Sequence, residues 1–155
     1  MLTRTSLALL LFACLSLPVK ADESAALPDD YCKWEVDDYK IEQPLCGLRG
    51  DPKRGQAIVS DSYKGNCLAC HQLPIEGIEA YGSIGPPLPG VGSRLTESQI
   101  RTRIVDTRNI NPMSIMPGFY RDPRLINRPG IQYRGKTFLT AQQVEDVIAY
   151  LVTLK

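Results

Sequence analysis

One short motif constrains this sequence more than any other feature. Cys67, Cys70 and His71 form a C-x-x-C-H motif, and His71 is the only histidine among the 155 residues. This spacing is the attachment sequence for c-type haem. Two thiols three residues apart reach the vinyl groups on one edge of a porphyrin, and the next residue places its imidazole beneath the iron. The motif therefore predicts one covalently attached haem c, with Cys67 and Cys70 as thioethers and His71 as the proximal iron ligand.

Two other uses of a cysteine pair fit the sequence less well. A thioredoxin-type redox pair follows a strand–helix pattern that is not evident around residues 67–71, and it does not need a histidine. A structural zinc ion takes four ligands, so Cys32 and Cys46 would have to contribute. The single histidine also excludes, within this chain, any site that requires two imidazoles.

The second axial ligand of the iron has to be a different residue type. After the first 21 residues the chain has two methionines, Met113 and Met116, both in a Pro-containing loop. Methionine opposite histidine raises the reduction potential of a haem. Pro117 restricts Met116 to extended conformations and stiffens the loop, which favours Met116 as ligand and leaves Met113 as the alternative. If neither methionine binds, the iron has an open face suited to peroxidase or gas-binding chemistry.

A Gly- and Pro-rich stretch at residues 85–90 follows the motif. A metal-bound histidine usually donates its second ring N–H to a carbonyl oxygen, which fixes the ring. The carbonyls of a rigid Pro-rich loop are not used in helices, so we expect Pro86 to accept this hydrogen bond. The other interpretation of the stretch is a plain turn.

Helix signals dominate the remaining sequence. Asp51 followed by Pro52 has the form of a helix start, and Thr-x-x-Gln capping boxes begin at Thr96 and Thr140. The last helix has apolar residues at i, i+3, i+4 and i+7 from Val144 onward, which makes one apolar face. No strand alternation of any strength is evident. The pattern predicts an all-α fold with long ordered loops between the helices.

The chain divides into three parts. Residues 1–21 have a positive start at Arg4, a short apolar run and a small-x-small cleavage pattern, which predicts an export signal and a periplasmic protein. An uncleaved anchor and lipoprotein processing at Cys14 are the alternatives. Residues 22–50 form an acidic N-terminal leader, and residues 51–155 form the compact domain. The apolar run is too short for a stable span, and no later run is long enough, so we expect no membrane span in the mature chain.

Charge is unevenly distributed along the chain. The formal net charge of +1 excludes a nucleic-acid binder that relies on bulk positive charge. Residues 22–50 carry 8 acidic and 3 basic side chains, whereas residues 94–136 carry 9 basic and 3 acidic ones. Such asymmetry is typical of solvated loops, and it can also steer a charged partner or anion.

Taken together, these motifs resemble the class I cytochromes c. The resemblance rests on the early C-x-x-C-H motif, the Gly-Pro-x-Leu-x-Gly stretch at residues 85–90 with Arg94 after it, and the Met-Pro pair at residues 116–117. The Tyr-Leu pair at residues 150–151 of the last helix also matches. This family implies a class I cytochrome c fold in which the first and last helices cross near the haem, with Gly55 at the crossing.

A narrower resemblance points to SoxX, the monohaem subunits of SoxAX sulfur-oxidation complexes. It covers roughly residues 65–155 and rests on six short segments: residues 84–86, 91–94, 105–106, 110–112, 115–120 and 139–147. The resemblance implies a heterodimer with a SoxA-type cytochrome, which holds the catalytic cysteine. The complex would couple thiosulfate oxidatively to a cysteine of a carrier protein, as an L-cysteine S-thiosulfotransferase does, and would pass electrons to a downstream acceptor. No catalytic residue is then expected in this chain beyond its haem site.

Two alternatives from other functional classes remain at this point. A freely diffusing electron carrier would have the same haem ligands but no stable partner. A haem enzyme with an open iron would bind cyanide or carbon monoxide readily.

The two other cysteines of the mature chain have a simpler expected role. In an exported protein, Cys32 and Cys46 are expected to form a disulfide, which on the chain-entropy estimate contributes about 3 kcal/mol. The competing interpretation is that one of them is a reactive thiol. The basic stretch, including Arg121 and Arg124, is expected to contribute to partner contact or to attraction of an anionic substrate.

Overall fold

A computed structural model of the chain describes residue 28 and residues 30–155; the predicted export signal, with Cys14, lies outside the described residues. Its four α-helices are α1 (Pro52–Ser60), α2 (Val91–Arg94), α3 (Glu97–Asp106) and α4 (Ala141–Thr153). Within the described part of the chain, strand-like pairing is limited to one isolated bridge between Asp37 and Lys40. The prediction of an all-α fold is confirmed. None of the described helices has the length and apolarity needed to cross a membrane.

The ends of the helices follow the capping signals in the sequence. The Asp51 carboxylate accepts hydrogen bonds from the N–H groups at the start of α1, and complete capping boxes at Thr96 and Thr140 open α3 and α4. These side chains satisfy N–H groups that the first turn of a helix leaves unpaired. The short helix α2 lies inside a segment predicted as loop, because four residues are too few to show a helical period.

Helices α1 and α4 cross at very close range. A Cβ atom on Gly55 would lie 1.9 Å from the carbonyl oxygen of Asp146, and one on Gly50 would lie 2.0 Å from that of Glu145. Only glycine permits such an approach of two backbones. The Arg54 guanidinium seals the crossing with a 2.8 Å bond from Nε to the Asp146 carboxylate. The expected close contact at Gly55 is confirmed.

The segment predicted as a leader packs on the helical domain over residues 31–50. Ile41 and Leu45 are buried in the same hydrophobic core as α3 and α4. The Leu45 N–H donates to the Glu145 carboxylate at 2.9 Å, and the buried Arg101 guanidinium donates both to Glu145 and to the Ile41 carbonyl. These buried polar groups are mutually satisfied, so they fix the path of the segment.

The long connection between α3 and α4 is anchored near its middle. The Phe119 N–H donates to the Ile104 carbonyl at 3.0 Å, and the Tyr120 N–H donates to the Val105 carbonyl at 3.2 Å. On the other side, the Leu139 N–H donates to the Phe119 carbonyl at 2.9 Å. The connection is therefore an ordered loop, as predicted.

Candidate haem site

The C-x-x-C-H motif forms one tight turn. Its 3₁₀ helix spans Cys67–Ala69, and Asn66 precedes it in the left-handed conformation. The N–H groups of Cys70 and His71 both donate to the Cys67 carbonyl, at 3.1 and 2.9 Å. This turn holds the three motif side chains close together, all of them half-buried and neither thiol joined to another cysteine.

Burial dominates the chemistry of the first thiol. Together with the neighbouring Cys70, it raises the pKa of Cys67 to about 12. Desolvation disfavours the thiolate, so the free thiol stays protonated near neutral pH. The protonated Cys67 side chain thus packs against the core as an apolar group.

The imidazole of His71 is oriented by a backbone carbonyl. Its Nδ1 lies 2.7 Å from the carbonyl oxygen of Pro86, where a protonated Nδ1 donates a hydrogen bond. That tautomer leaves Nε2 with a free lone pair, and Nε2 has no hydrogen-bond partner among the described residues. The arrangement gives His71 one fixed ring plane and one nitrogen available to a metal.

Gly85 lies directly against the His71 ring. A Cβ atom at this position would be 2.2 Å from Cε1 and 2.5 Å from Nδ1 of the imidazole. The adjoining loop is paired with the motif by three backbone hydrogen bonds of 2.8 to 3.0 Å, from Gly82 to Leu68, from Gly85 to Cys70 and from Leu88 to Gln72. The loop therefore forms one wall of the histidine site.

Arg94 fixes this loop from its far side. Its guanidinium donates to the carbonyl oxygens of Pro89 at 2.6 Å and Pro87 at 3.0 Å. The sequence predicted Arg94 only as part of a motif. It did not predict that Arg94 holds this loop or that Gly85 contacts the ring. The proline run could have indicated the first role, because prolines supply carbonyl acceptors without N–H donors.

The two methionines occupy different environments. Met116 is half-buried and packs against the same hydrophobic core as Cys67, whereas the Met113 side chain is 86% exposed. The Met116 N–H donates to the Ser114 hydroxyl at 3.3 Å. Met116 is thus the methionine that packs against the core, and Met113 projects into solvent.

The donor set fits a covalently held haem. The turn supplies two free thiols, and His71 supplies an oriented imidazole nitrogen. Met116 supplies a half-buried thioether that packs against the core. The chain does not offer the zinc alternative in this structure, because Cys32 and Cys46 are joined in a disulfide. Among the described residues, no group of three or more His, Cys, Asp or Glu side chains is arranged to hold a metal ion.

Comparison with known proteins agrees with this chemistry. The sequence profile of the cytochrome c family matches residues 52–155. The chain is 33% identical to a cytochrome c-553-like protein of Synechocystis over 76% of its own length and 81% of the relative's. It is 34% identical to cytochrome c-550 of Bacillus subtilis over 43% of its own length and 52% of the relative's.

A solved structure extends the comparison. A chain in the crystal structure of SoxXA from P. pantotrophus is 38% identical and superposes with a TM-score of 0.71, covering 79% of this chain and 94% of that one. The chain belongs to the cytochrome c family and is a SoxX-type cytochrome c.

Proposed function

We propose that this protein is the electron-accepting subunit of a heterodimer that couples thiosulfate oxidatively to a cysteine of a carrier protein. The observation that carries the proposal is the likeness to a chain of SoxXA over 94% of that chain. The complex would be an enzyme of the L-cysteine S-thiosulfotransferase type. Its second subunit would be a SoxA-type cytochrome, and the predicted export signal would place the complex in the periplasm.

The haem would be held by four side chains. Cys67 and Cys70 would form the thioethers, His71 would be the proximal ligand and Met116 the distal one. When bound, the haem supplies one-electron oxidation and reduction. The packing of Met116 against the core and the 86% exposure of Met113 favour Met116, because a thioether that is already packed loses less conformational freedom when it binds the iron.

The electron count supports a division of labour between two subunits. Joining a cysteine thiolate to the outer sulfur of thiosulfate forms one S–S bond and releases two electrons. One haem accepts one electron at a time, and among the described residues no free thiol is left once Cys67 and Cys70 are thioethers and Cys32 is bonded to Cys46. The catalytic cysteine would therefore belong to the partner, and this chain would accept electrons and pass them on.

The residues around the iron site suit that role. The Pro86 carbonyl holds the His71 ring, and Arg94 holds the loop that carries Pro86. A histidine that stays in place during oxidation and reduction keeps the cost of reorganisation small. This chain's contribution is thus a rigid ligand frame rather than acid–base chemistry.

Isolation of the tagged protein from its native periplasm tests the proposal. We expect a second haem-staining subunit to be recovered with it in fixed ratio, and thiosulfate to reduce the pair in the presence of the carrier protein. Recovery of a lone, six-coordinate monomer would contradict the heterodimer and return the function to a diffusible carrier. Ready binding of cyanide or carbon monoxide by the isolated holoprotein would contradict Met116 as a ligand.

A further inference from the structure

Residues 31–46 are here called the N-terminal strap. The disulfide between Cys32 and Cys46 closes all of this segment except Tyr31 into a loop. The strap contacts one residue of the long connection, Tyr120, in three ways. The Tyr31 and Tyr120 rings stack with centroids 4.9 Å apart, and the Trp34 indole N–H donates to the Tyr120 carbonyl at 3.1 Å. The Tyr120 hydroxyl accepts from the Cys32 N–H at 2.8 Å. The strap thus holds both the ring and the backbone of Tyr120.

Tyr120 in turn anchors the loop that carries Met116 to the helical core. Tyr120 is buried, and its own N–H donates to the Val105 carbonyl at the end of α3. Met116 lies four residues earlier in the chain. Among the described residues the Met116 N–H has one partner, the Ser114 hydroxyl at 3.3 Å, which belongs to the same loop. The position of Met116 relative to the core therefore depends on the anchor that follows it.

We propose that Tyr120 is a positioning residue for Met116 and that the contacts of the N-terminal strap keep Tyr120 in place. This inference rests on the proposed function in one respect, the assignment of Met116 as an iron ligand. A thioether is a weak ligand whose occupancy depends on how far its loop is pre-organised. Opening the strap loosens the loop, and an external ligand then competes for the iron more successfully.

The test uses the full-length oxidised holoprotein and two readouts. One is the far-red charge-transfer band that a methionine–ferric haem pair gives, and the other is the affinity of the ferric iron for added imidazole. Trp34→Phe and Tyr120→Phe each delete one hydrogen bond to or from Tyr120 while keeping an aromatic ring. We expect each to raise imidazole affinity about threefold, the range of one neutral hydrogen bond. Cys32→Ser with Cys46→Ser is expected to raise it about tenfold or more, with a weakened band, because the part of the strap that carries Tyr31 and Trp34 is then tied to the core only through Ile41 and Leu45.

The controls distinguish a specific effect of the strap on Met116 from a general loss of stability. Ile148→Val removes one methylene from the buried face of α4, a helix that supplies none of the three contacts, and is expected to keep the wild-type band and imidazole affinity. Met116→Ala gives the reference for complete loss of the band. Circular dichroism verifies that each variant keeps its helices, and the two single aromatic variants decide the matter if the double serine variant does not fold.

The outcomes are distinct. Wild-type imidazole affinity in the folded strap variants, with the band lost only in Met116→Ala, would overturn this inference and leave the proposed function intact. An equal rise in affinity in Ile148→Val would also overturn it, because general destabilisation would then account for the effect. A band that survives Met116→Ala would overturn the ligand assignment and this inference together.

Discussion

The close approach of Gly85 to the His71 ring strictly limits which residue can occupy position 85. The ring lies where a side chain on residue 85 would be, and its Nδ1 is committed to the next residue's carbonyl. Packing and hydrogen bonding therefore act on the same imidazole from adjacent backbone positions. A substitution at residue 85 would therefore reorient the proposed iron ligand without altering the histidine itself.

We predict that Gly85→Ala displaces the His71 ring. A Cβ atom 2.2 Å from Cε1 cannot be accommodated in place, and overpacking of this kind costs about 1–3 kcal/mol. The expected result is reduced covalent haem content and a lower midpoint potential, measured by haem staining and by redox titration. Gly130→Ala is the control, because its Cβ would meet only the movable end of the Gln132 side chain. Wild-type haem content and potential in Gly85→Ala would contradict the prediction.

The hydrogen bond between His71 and Pro86 was predictable from the sequence, whereas the contact of Gly85 with the ring was not. The expected bond from His71 to Pro86 follows from general histidine chemistry, and the structure has it at 2.7 Å. The role of Gly85 depends on a backbone approach between segments 14 residues apart, which no local pattern encodes. The same is true of Arg101, whose buried bonds to Glu145 and Ile41 join three distant parts of the chain.

At the scale of elements, the crossing of α1 and α4 organises the molecule. The backbones of the two helices meet at Gly55, and the Asp146 side chain at the same point is almost fully buried. Burial alone would raise the pKa of Asp146. Hydrogen bonds from Arg54, the Asp51 N–H and Gln142 outweigh burial, so the pKa lies below its usual value.

This lowered pKa makes the crossing sensitive to acid. A carboxyl whose folded pKa lies below the unfolded value of about 3.9 contributes stability above that pH, and the contribution is lost as the pH falls through the folded pKa. We predict that Asp146→Asn lowers the free energy of unfolding by about 2 kcal/mol at pH 7. The deficit relative to wild type should shrink below about pH 4. Urea denaturation across pH 2–7 measures it, with the exposed Asp38→Asn as control; a deficit that is constant with pH would contradict the assignment.

A second prediction at this scale concerns the crossing distance. Gly55→Ala places a methyl group 1.9 Å from the Asp146 carbonyl oxygen, so the helices must separate. The expected loss is about 3 kcal/mol in unfolding free energy, measured by denaturant titration of the holoprotein. Ala57→Gly, on an exposed position of the same helix, serves as the control and should cost about 1 kcal/mol. A smaller loss in Gly55→Ala than in the control would show that the helices are not so close.

The helices themselves were predictable from the sequence because their caps are local. Helices α1, α3 and α4 begin directly after Asp51, Thr96 and Thr140, whose side chains accept hydrogen bonds from the first turn. The buried face of α4 is the one that its apolar residues predict. The four-residue α2 was missed because it has too few residues to show a period.

At the scale of the whole molecule, positive charge is concentrated near the proposed ligand loop. The connection between α3 and α4 carries five of the chain's eleven arginines, and a cavity of about 320 Å³ beside Pro117 is lined by Arg108 and Arg121. One buried carboxylate, Asp106, is shared by these two guanidiniums. The surface next to the proposed ligand loop is therefore electropositive and suited to an acidic partner face or an anion.

We predict that Arg121→Glu with Arg124→Glu weakens assembly with the partner subunit. Reversing two charges should lower affinity about tenfold at low ionic strength, and the effect should diminish as salt is added. Surface plasmon resonance at several salt concentrations measures it. Lys53→Glu with Lys64→Glu is the matched control, since it reverses two charges in and just beyond α1. Equal affinity for wild type and the arginine variant at low salt would contradict a role for this surface.

The packing of residues 31–50 could not be read from their composition. Their excess of acidic side chains and lack of period indicate a solvated leader, yet Ile41 and Leu45 belong to the core. Two apolar side chains and a few hydrogen bonds to α3 and α4 are enough to bind the segment, and such contacts leave no local pattern.

The contact between Leu45 and Glu145 has a consequence for the order of events during synthesis. It joins residues 100 positions apart, and α1 likewise rests on α4. Nascent chains emerge from the amino end, so α1, the C-x-x-C-H turn and the strap all appear before the helix that completes their packing. During that interval the two thiols and the imidazole are not yet enclosed by the finished core. The last helix to appear, α4, therefore completes the packing of all the earlier segments.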